Sequence, residues 1–281
     1  MNILVTGGTG SFGQAFVEKL LQNNKYSRIC IYSRGEHAQE AMAKKFNNDR
    51  LRFFIGDVRD KDRLSLAIRD VECVVHAAAL KIVPAMEYNP SEAIKTNILG
   101  SQNVIEACIA HSWAPTKVIM LSTDKAVFPR NLYGATKLCA EKLFLSSNGI
   151  YGPYGPEFSV VRYGNVSNSN GSVIPLFKKQ LESNEPLTVT HEDMSRFWIS
   201  LDDAAQFVID CLDKMEGGET FIPKMPSFKI MDLAKAMSDN IIITGIRPGE
   251  KLHEAISDDL TSDSNTWWLS QSDLIEKLGT L

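Results

Sequence analysis

The stretch "NILVTGGTGSFG", residues 2–13, most constrains what this chain can fold into. A short apolar run leads straight into a glycine-rich turn, and helical patterning begins just beyond it. Gly7, Gly10 and Gly13 stand at G-x-x-G-x-x-G spacing. Glycine tolerates positive φ and lets a ligand come close to the backbone, while a helix N-terminus offers free N–H groups and the positive end of its dipole. Between a strand and a helix, this spacing points to a turn that cradles a dinucleotide pyrophosphate. The candidate residues are Gly7, Thr9, Gly10, Ser11, Phe12 and Gly13.

The unit then repeats. "RICIYS", "LRFFIGD", "VECVVHAAA", "KVIMLSTD" and "FSVVRYGN" read as strands, with helical patterning over 12–22, 62–69, 90–111 and 133–145. Strands alternating with helices predict an α/β fold built on a doubly wound parallel sheet. The strands are apolar almost throughout, so both faces of that sheet are expected to be covered. After Asn165 single strands, helices and Gly/Pro punctuation mix. Residues 1–165 are therefore expected to form the dinucleotide-binding domain and 166–281 a smaller, discontinuous substrate-binding cap. The helix 201–214 should pack back on the sheet. No long linker separates the two parts, which places a cleft between them.

Composition narrows the partners. The chain has 281 residues, 44% hydrophobic and 23% charged, enough to bury a sizeable core. A net charge of -4 leaves no basic footprint, which argues against nucleic acid or an anionic membrane as the main partner. The five cysteines are odd in number and form no C-x-x-C, against a disulfide framework or a zinc site. No metal site is expected, and a reducing cytoplasm fits. The first residues show no leader pattern and no apolar stretch of about 18 residues occurs, so neither export nor membrane anchoring is expected.

Further cofactor contacts follow from strand ends. Where an NAD site usually offers a carboxylate to the ribose, the second strand ends in Tyr32-Ser33-Arg34. A guanidinium fork matches a 2′-phosphate, so Ser33 and Arg34 favour NADP. Asp57 and Val58 are placed to meet adenine, and Ala77, Ala78 and Ala79 are small enough for the cofactor to approach the fourth strand. These last two groups suit tight turns and core equally well.

"LSTDKAVFPRNLYGATK", residues 121–137, carries the chemistry. Tyr133 and Lys137 are four apart on a predicted helix and share one face. Such a lysine can lower a tyrosine from its usual pKa near 10 and hold a ribose, leaving a phenolate to take a hydroxyl proton. Ser122 and Thr123 end the strand upstream and can share the same substrate oxygen. Oxidising an alcohol needs no more, so Asp124 and Lys125 are left over.

Together the glycine loop, the hydroxyl-ended strand and "YGATK" resemble the extended short-chain dehydrogenase/reductases that act on nucleotide sugars, with their Rossmann-type sheet. "YSRGE", "HAAALKIVPAMEYNP", "STDKAVFPRNLYGATKL", "GSVIPLF", "SRFWI" and "IRPGEKLHE" are more closely similar to the NADP-dependent UDP-N-acetylglucosamine 4,6-dehydratases, in particular the soluble C5-inverting group that begins pseudaminic acid synthesis. The resemblance covers nearly the whole chain. It implies that Tyr133, helped by Thr123, oxidises C4, and that the ketone acidifies C5. Lys125 then acts as base at C5 and Asp124 as acid at the departing C6 hydroxyl. Burial should push both toward neutrality, with Lys137 further depressing Lys125; a proton shared by the pair describes this best.

The resemblance also assigns substrate contacts: Lys81, Leu121 and Ser122 near the sugar, Asn165 at a phosphate or sugar, Val173 at uridine, Arg247 and Glu250 at diphosphate and ribose. Arg196 reads equally as a packed structural arginine. In C5-retaining relatives the position of Tyr133 is usually methionine, so inversion is expected, giving UDP-2-acetamido-2,6-dideoxy-β-L-arabino-hex-4-ulose. The resemblance further implies a homo-oligomer, a dimer or hexamer. Two features depart from it: a shortening of a few tens of residues between "HEAISDD" and "NTWWLSQSDL", and His191, Glu192 and Asp193 in an unexpected loop. The competing readings are a C5-retaining dehydratase, a nucleotide-sugar 4-epimerase, which leaves Asp124 and Lys125 unexplained, and a non-catalytic dinucleotide-binding protein.

Overall fold

A computed structural model describes residues 1–110, 115–169 and 171–279. The six apolar runs form parallel strands: β1 (Asn2–Thr6), β2 (Arg28–Ser33), β3 (Leu51–Ile55), β4 (Cys73–His76), β5 (Lys117–Thr123) and β6 (Glu157–Tyr163). With Thr220–Phe221 on the far edge they make one seven-stranded sheet in the order 220–221, β6, β5, β4, β1, β2, β3. β1 lies between β2 and β4, with Val5 opposite Ile31 on one side and Val75 on the other. The crossover between β1 and β4 sets the C-terminal ends of the strands around one crevice, where such sheets bind ligands.

Helices cover both faces. On one, Phe16, Val17 and Leu20 of the helix Ser11–Gln22 pack with Ala204, Ala205, Val208 and Leu212 of the helix Leu201–Lys214, against Ile3, Val5, Ile29 and Ile31. An ion pair between Lys19 and Asp202 at 2.8 Å joins the two helices at the surface. On the other face Leu64, Val104, Cys108, Ala140 and Phe144 cover Leu4, Val74, Val118 and Val160. Burying largely apolar strands between helices is the main stabilisation, at roughly 25 cal/mol per Å² of apolar surface.

A third cluster lies apart, built from Ile174, Phe177, Leu187, Val189, Met194, Trp198, Phe228 and Leu233. Trp198 stands edge-on to Phe228 at 5.2 Å between ring centres. Around it are a three-stranded sheet, ordered 227–229, 195–199, 165–166, and a parallel pair of strands, 187–189 with 241–243.

Two helical segments, Glu36–Phe46 and Val83–Tyr88, escape the periodicity argument. The helix expected over 90–111 is not one element: Pro90–Ala93 is α-helical, Ile94–Leu99 a π-helix and Gly100–Ile109 α-helical again. His111, its expected last residue, lies outside the described residues. No described helix is long and apolar enough to cross a membrane.

Candidate active site

The cleft between the sheet's C-terminal edge and the third cluster is a cavity of about 1620 Å³. It exceeds the few hundred to 1,000 Å³ typical for one small ligand. The walls hold every candidate residue named from sequence with one exception, Asp124.

The glycine turn forms the end of the cleft beyond β1. Gly7 adopts φ +67°, and a Cβ there would lie 2.8 Å from the Ala78 nitrogen. Only glycine lets this turn sit against the start of the alanine run. The helix Ser11–Gln22 has Gly10 as its N-cap with no side-chain capping bond, and its first residues line the cleft. Such a cradle suits the pyrophosphate of a dinucleotide. Thr9 and Ser11 line it, and Phe12 stacks 5.4 Å from Phe16 and 6.4 Å from Tyr163.

Beyond β2, Ser33 accepts a hydrogen bond from Gln39 at 3.0 Å. The Arg34 side chain is 60% exposed and lies 3.8 Å from Asp57. Asp57 itself is held by Arg59, through Nε at 3.0 Å and Nη2 at 2.6 Å. Burial works against the Asp57 charge, but these bonds keep the carboxyl below its ordinary range. Arg59, which no sequence argument singled out, also pairs with Glu92 at 2.6 Å. Arg34 is thus left able to turn to a phosphate while Arg59 is engaged.

The π-helix has a local role. It aims Asn97, almost wholly buried, so that Oδ1 accepts from Leu80 N at 2.8 Å while Nδ2 donates to Leu80 O at 2.9 Å and Thr136 Oγ1 at 3.0 Å. The loop bearing Lys81 is thereby tied to the helix bearing Tyr133 and Lys137. π-Helical turns concentrate at functional sites, and no periodicity reveals them.

β5 delivers Leu121, Ser122 and Thr123 to the cleft floor and runs into a single 3-10 turn, Asp124–Ala126. Thr123 caps that turn, its Oγ1 accepting from Lys125 N at 3.3 Å. The helix Leu132–Tyr151 begins beside it. Asn131 caps this helix by accepting from Gly134 N at 2.9 Å, and Glu87 accepts from Leu132 N at 2.7 Å. At Gly134 a Cβ would lie 2.1 Å from the Lys125 carbonyl oxygen. The glycine of "YGATK" is what allows the helix and the acid–amine turn to meet.

Lys125 Nζ reaches Asp124 Oδ1 at 3.0 Å and Asn165 Oδ1 at 3.3 Å. Asp124 is wholly buried beneath the cleft floor. Its Oδ1 also accepts from Thr123 Oγ1 at 2.9 Å, and Oδ2 has no partner among the described residues. The acid therefore communicates with the cleft through Thr123 and Lys125.

Electrostatics correct two expectations. Lys125 is not driven toward neutrality: burial acts that way, but the carboxylates of Asp124 and Glu254 outweigh it and raise its pKa. Nor is Tyr133 lowered: its phenol stands above its ordinary range. Burial raises the phenol, opposed by the Lys125 cation and a hydrogen bond with Thr123. Lys137, itself 3% exposed, is lowered to about 8 by burial, with Glu141 opposing. For Asp124, burial raises the carboxyl and Lys125 opposes.

Glu254 is the residue that sequence reading passed over. It sits in "IRPGEKLHE", quoted for Arg247 and Glu250, and its Oε1 lies 3.5 Å from Lys125 Nζ. Lys251 pairs with its Oε2 at 3.2 Å and donates to the Val127 carbonyl at 2.6 Å. Arg196 proves to be an anchor: buried, it donates to Leu252 O at 3.0 Å and Lys251 O at 2.9 Å and pairs with Glu250 at 3.7 Å. Arg247 stands 66% exposed, 3.3 Å from Glu250. Val173 opens the helix Val173–Glu182 on the opposite wall. His191, Glu192 and Asp193 do not line the cleft.

Sheet order, glycine turn and the Tyr133/Lys137 helix together define an extended short-chain dehydrogenase/reductase with its dinucleotide-binding fold. The chain belongs to the polysaccharide biosynthesis protein family, whose profile matches residues 3–269. It is 56% identical over 263 residues to the UDP-N-acetylglucosamine 4,6-dehydratase (inverting) of Campylobacter jejuni, covering 92% of this chain and 78% of that one. It is 43% identical, over 90% of this chain and 76% of the other, to a protein of Rickettsia bellii named UDP-glucose 4-epimerase. Among solved structures, Pen from Bacillus thuringiensis superposes with a TM-score of 0.92 at 36% identity, covering 100% of this chain and 98% of that one.

Proposed function

We infer that this protein is an NADP-dependent UDP-N-acetylglucosamine 4,6-dehydratase that inverts C5. The observation that carries the reading is the Lys125–Asp124 pair, joined at 3.0 Å, with Lys125 lining the cleft alongside Thr123 and Tyr133. The similarity to the Campylobacter jejuni enzyme supports the same substrate. Residues 1–165 with 201–214 would hold the dinucleotide, and 166–281 the sugar nucleotide.

The glycine cradle and Arg34 fit the pyrophosphate and 2′-phosphate of NADP. When bound, that cofactor supplies an acceptor for the C4 hydride and its return to C6. Tyr133, which lines the cleft with Thr123, takes the C4 hydroxyl proton once Lys125 and the cofactor's positive charge have offset its burial. The C4 ketone makes the C5 proton acidic. Transfer of one proton from Lys125 to Asp124 along their hydrogen bond yields an amine and a carboxylic acid together. The amine removes the C5 proton; the acid's proton reaches the C6 hydroxyl by way of Thr123, and water leaves. Tyr133, now carrying the C4 proton, then protonates C5 on the face opposite Lys125, which returns the site to its starting state and completes UDP-2-acetamido-2,6-dideoxy-β-L-arabino-hex-4-ulose. Lys81, Leu121, Ser122, Asn165, Val173, Arg247 and Glu250 line the remaining walls and bind the substrate. The reading includes a cytoplasmic homo-oligomer, a dimer or hexamer, at an early step of surface-glycan sugar synthesis.

The Rickettsia bellii relative favours a second reading, 4-epimerisation, in which hydride returns to C4 and no water is lost. It gives the Asp124–Lys125 pair nothing to do. Incubating the protein with UDP-N-acetylglucosamine and NADP separates the two. A 4-keto-6-deoxy product supports dehydration; a C4 epimer without loss of water refutes it.

A further inference from the structure

Glu254 is 3% exposed, yet its carboxylate reaches the amine that works at C5. Its backbone is pinned on both sides: the amide donates to Ser262 Oγ at 3.0 Å, the carbonyl accepts from Ser262 N at 2.7 Å, and Arg196 clamps the carbonyls of Lys251 and Leu252. The carboxylate bridges two lysines on different elements, Lys125 at 3.5 Å and Lys251 at 3.2 Å. Burying a carboxylate costs desolvation, which here only the two ammonium partners offset.

We propose that Glu254 is a positioning residue for the elimination, an anion that holds Lys125 Nζ at the cleft floor and keeps one proton on the Asp124–Lys125 pair. The inference rests on the dehydratase reading. Only the one-proton form of the pair offers a base and an acid at once. With two protons the pair has no base; with none it has no acid. A negative charge at 3.5 Å from Nζ makes the last proton harder to lose and extends the working form to higher pH. The charged and titratable groups around Lys125 are Asp124 on its own turn, Glu254 from the 251–254 segment, Arg196 from the strand Ser195–Ile199, Tyr133 from the helix Leu132–Tyr151, and Lys81 from the loop after β4. Glu254 is faced in turn by Lys251 and Arg196. Arg196 counters Glu254 at both places, but it is spent on backbone carbonyls and cannot follow a moving proton.

The test is the pH profile of 4-keto-6-deoxy sugar formation from UDP-N-acetylglucosamine by the full chain with NADP. Glu254→Gln keeps the shape and removes the charge, so the alkaline limb moves to lower pH by about one unit or more. Lys251→Met removes the cation that competes for Glu254, so the same limb moves to higher pH. Opposite shifts are the expected result. An unmoved limb in a Glu254→Gln protein of normal melting temperature, whatever its rate, overturns the proposal by leaving Glu254 a purely structural role. If Glu254→Gln does not fold, Lys251→Met decides alone, and a limb that stays or falls overturns it. Wild-type protein that makes no 4-keto-6-deoxy sugar refutes the dehydratase reading itself, and this inference with it.

Discussion

Lys125 Nζ sits 3.0 Å from Asp124 Oδ1, the amine lining the cleft and the carboxylate wholly buried beneath it. One partner meets the substrate directly; the other acts through its hydrogen bonds. If the pair eliminates water, Lys125→Ala and Asp124→Asn should each lower 4-keto-6-deoxy sugar formation by about 10² to 10⁴. NADP affinity, measured by calorimetry, should stay within a fewfold of wild type. A variant turning over at near the normal rate would remove its residue from the mechanism.

Gly134 offers a subtler cut. A methyl group there has no room, since its position falls 2.1 Å from the Lys125 carbonyl oxygen, a backbone atom that cannot swing away. Gly134→Ala should push the Tyr133 helix and the Asp124–Lys125 turn apart, and a displacement near 1 Å costs roughly 10²-fold in rate. The expected signature is a fall in kcat larger than the rise in KM. Unchanged kcat would mean that the close approach has no catalytic role.

Arg34 tests the cofactor. Its side chain is 60% exposed, and its one ion pair among the described residues, to Asp57, is long at 3.8 Å. Arg34→Ala should weaken NADP binding by roughly ten- to a hundredfold, the worth of a charged hydrogen bond, and leave NAD binding as it was. Equal losses for both cofactors would show that Arg34 does not read the 2′-phosphate.

His76 makes the fold sensitive to acid. It is 1% exposed, bonded to Thr6 Oγ1 at 2.8 Å and Ser101 Oγ at 3.1 Å, and burial with the nearby Lys137 charge lowers it to about 3. Below its ordinary pKa the unfolded chain takes a proton that the folded chain refuses. Its contribution is complete above about pH 6.5 and drains away as the pH falls toward 3, on the order of a few kcal/mol. Urea unfolding from pH 7 to 4 should show a steeper loss for wild type than for His76→Gln. Parallel curves would mean that other groups govern the acid limb.

What the sequence revealed follows from how local each signal is. Six strands read from short apolar runs, since burial on both faces leaves each strand a contiguous signature. Gly7, Gly10 and Gly13 read from spacing, because one turn of backbone explains them. The break in the helix over 90–111 was invisible: a π-helix changes hydrogen bonding without changing which residues are apolar, and Asn97 is recognised only by what it touches. The charge on Lys125 was misjudged for a related reason. Asp124 is next to it in the chain, but Glu254 comes from 129 positions away, and its proximity is a product of the tertiary fold. Arg196 was ambiguous in sequence and became a structural anchor once its carbonyl partners were visible.

The central claim is that one cleft oxidises C4 and then expels water across C5 and C6. Proton NMR of UDP-N-acetylglucosamine turned over by the protein with NADP in D2O tests it directly. The account predicts a new C6 methyl signal, deuterium at C5, and ring couplings of the inverted C5 configuration. A changed configuration at C4 with no methyl signal would contradict it.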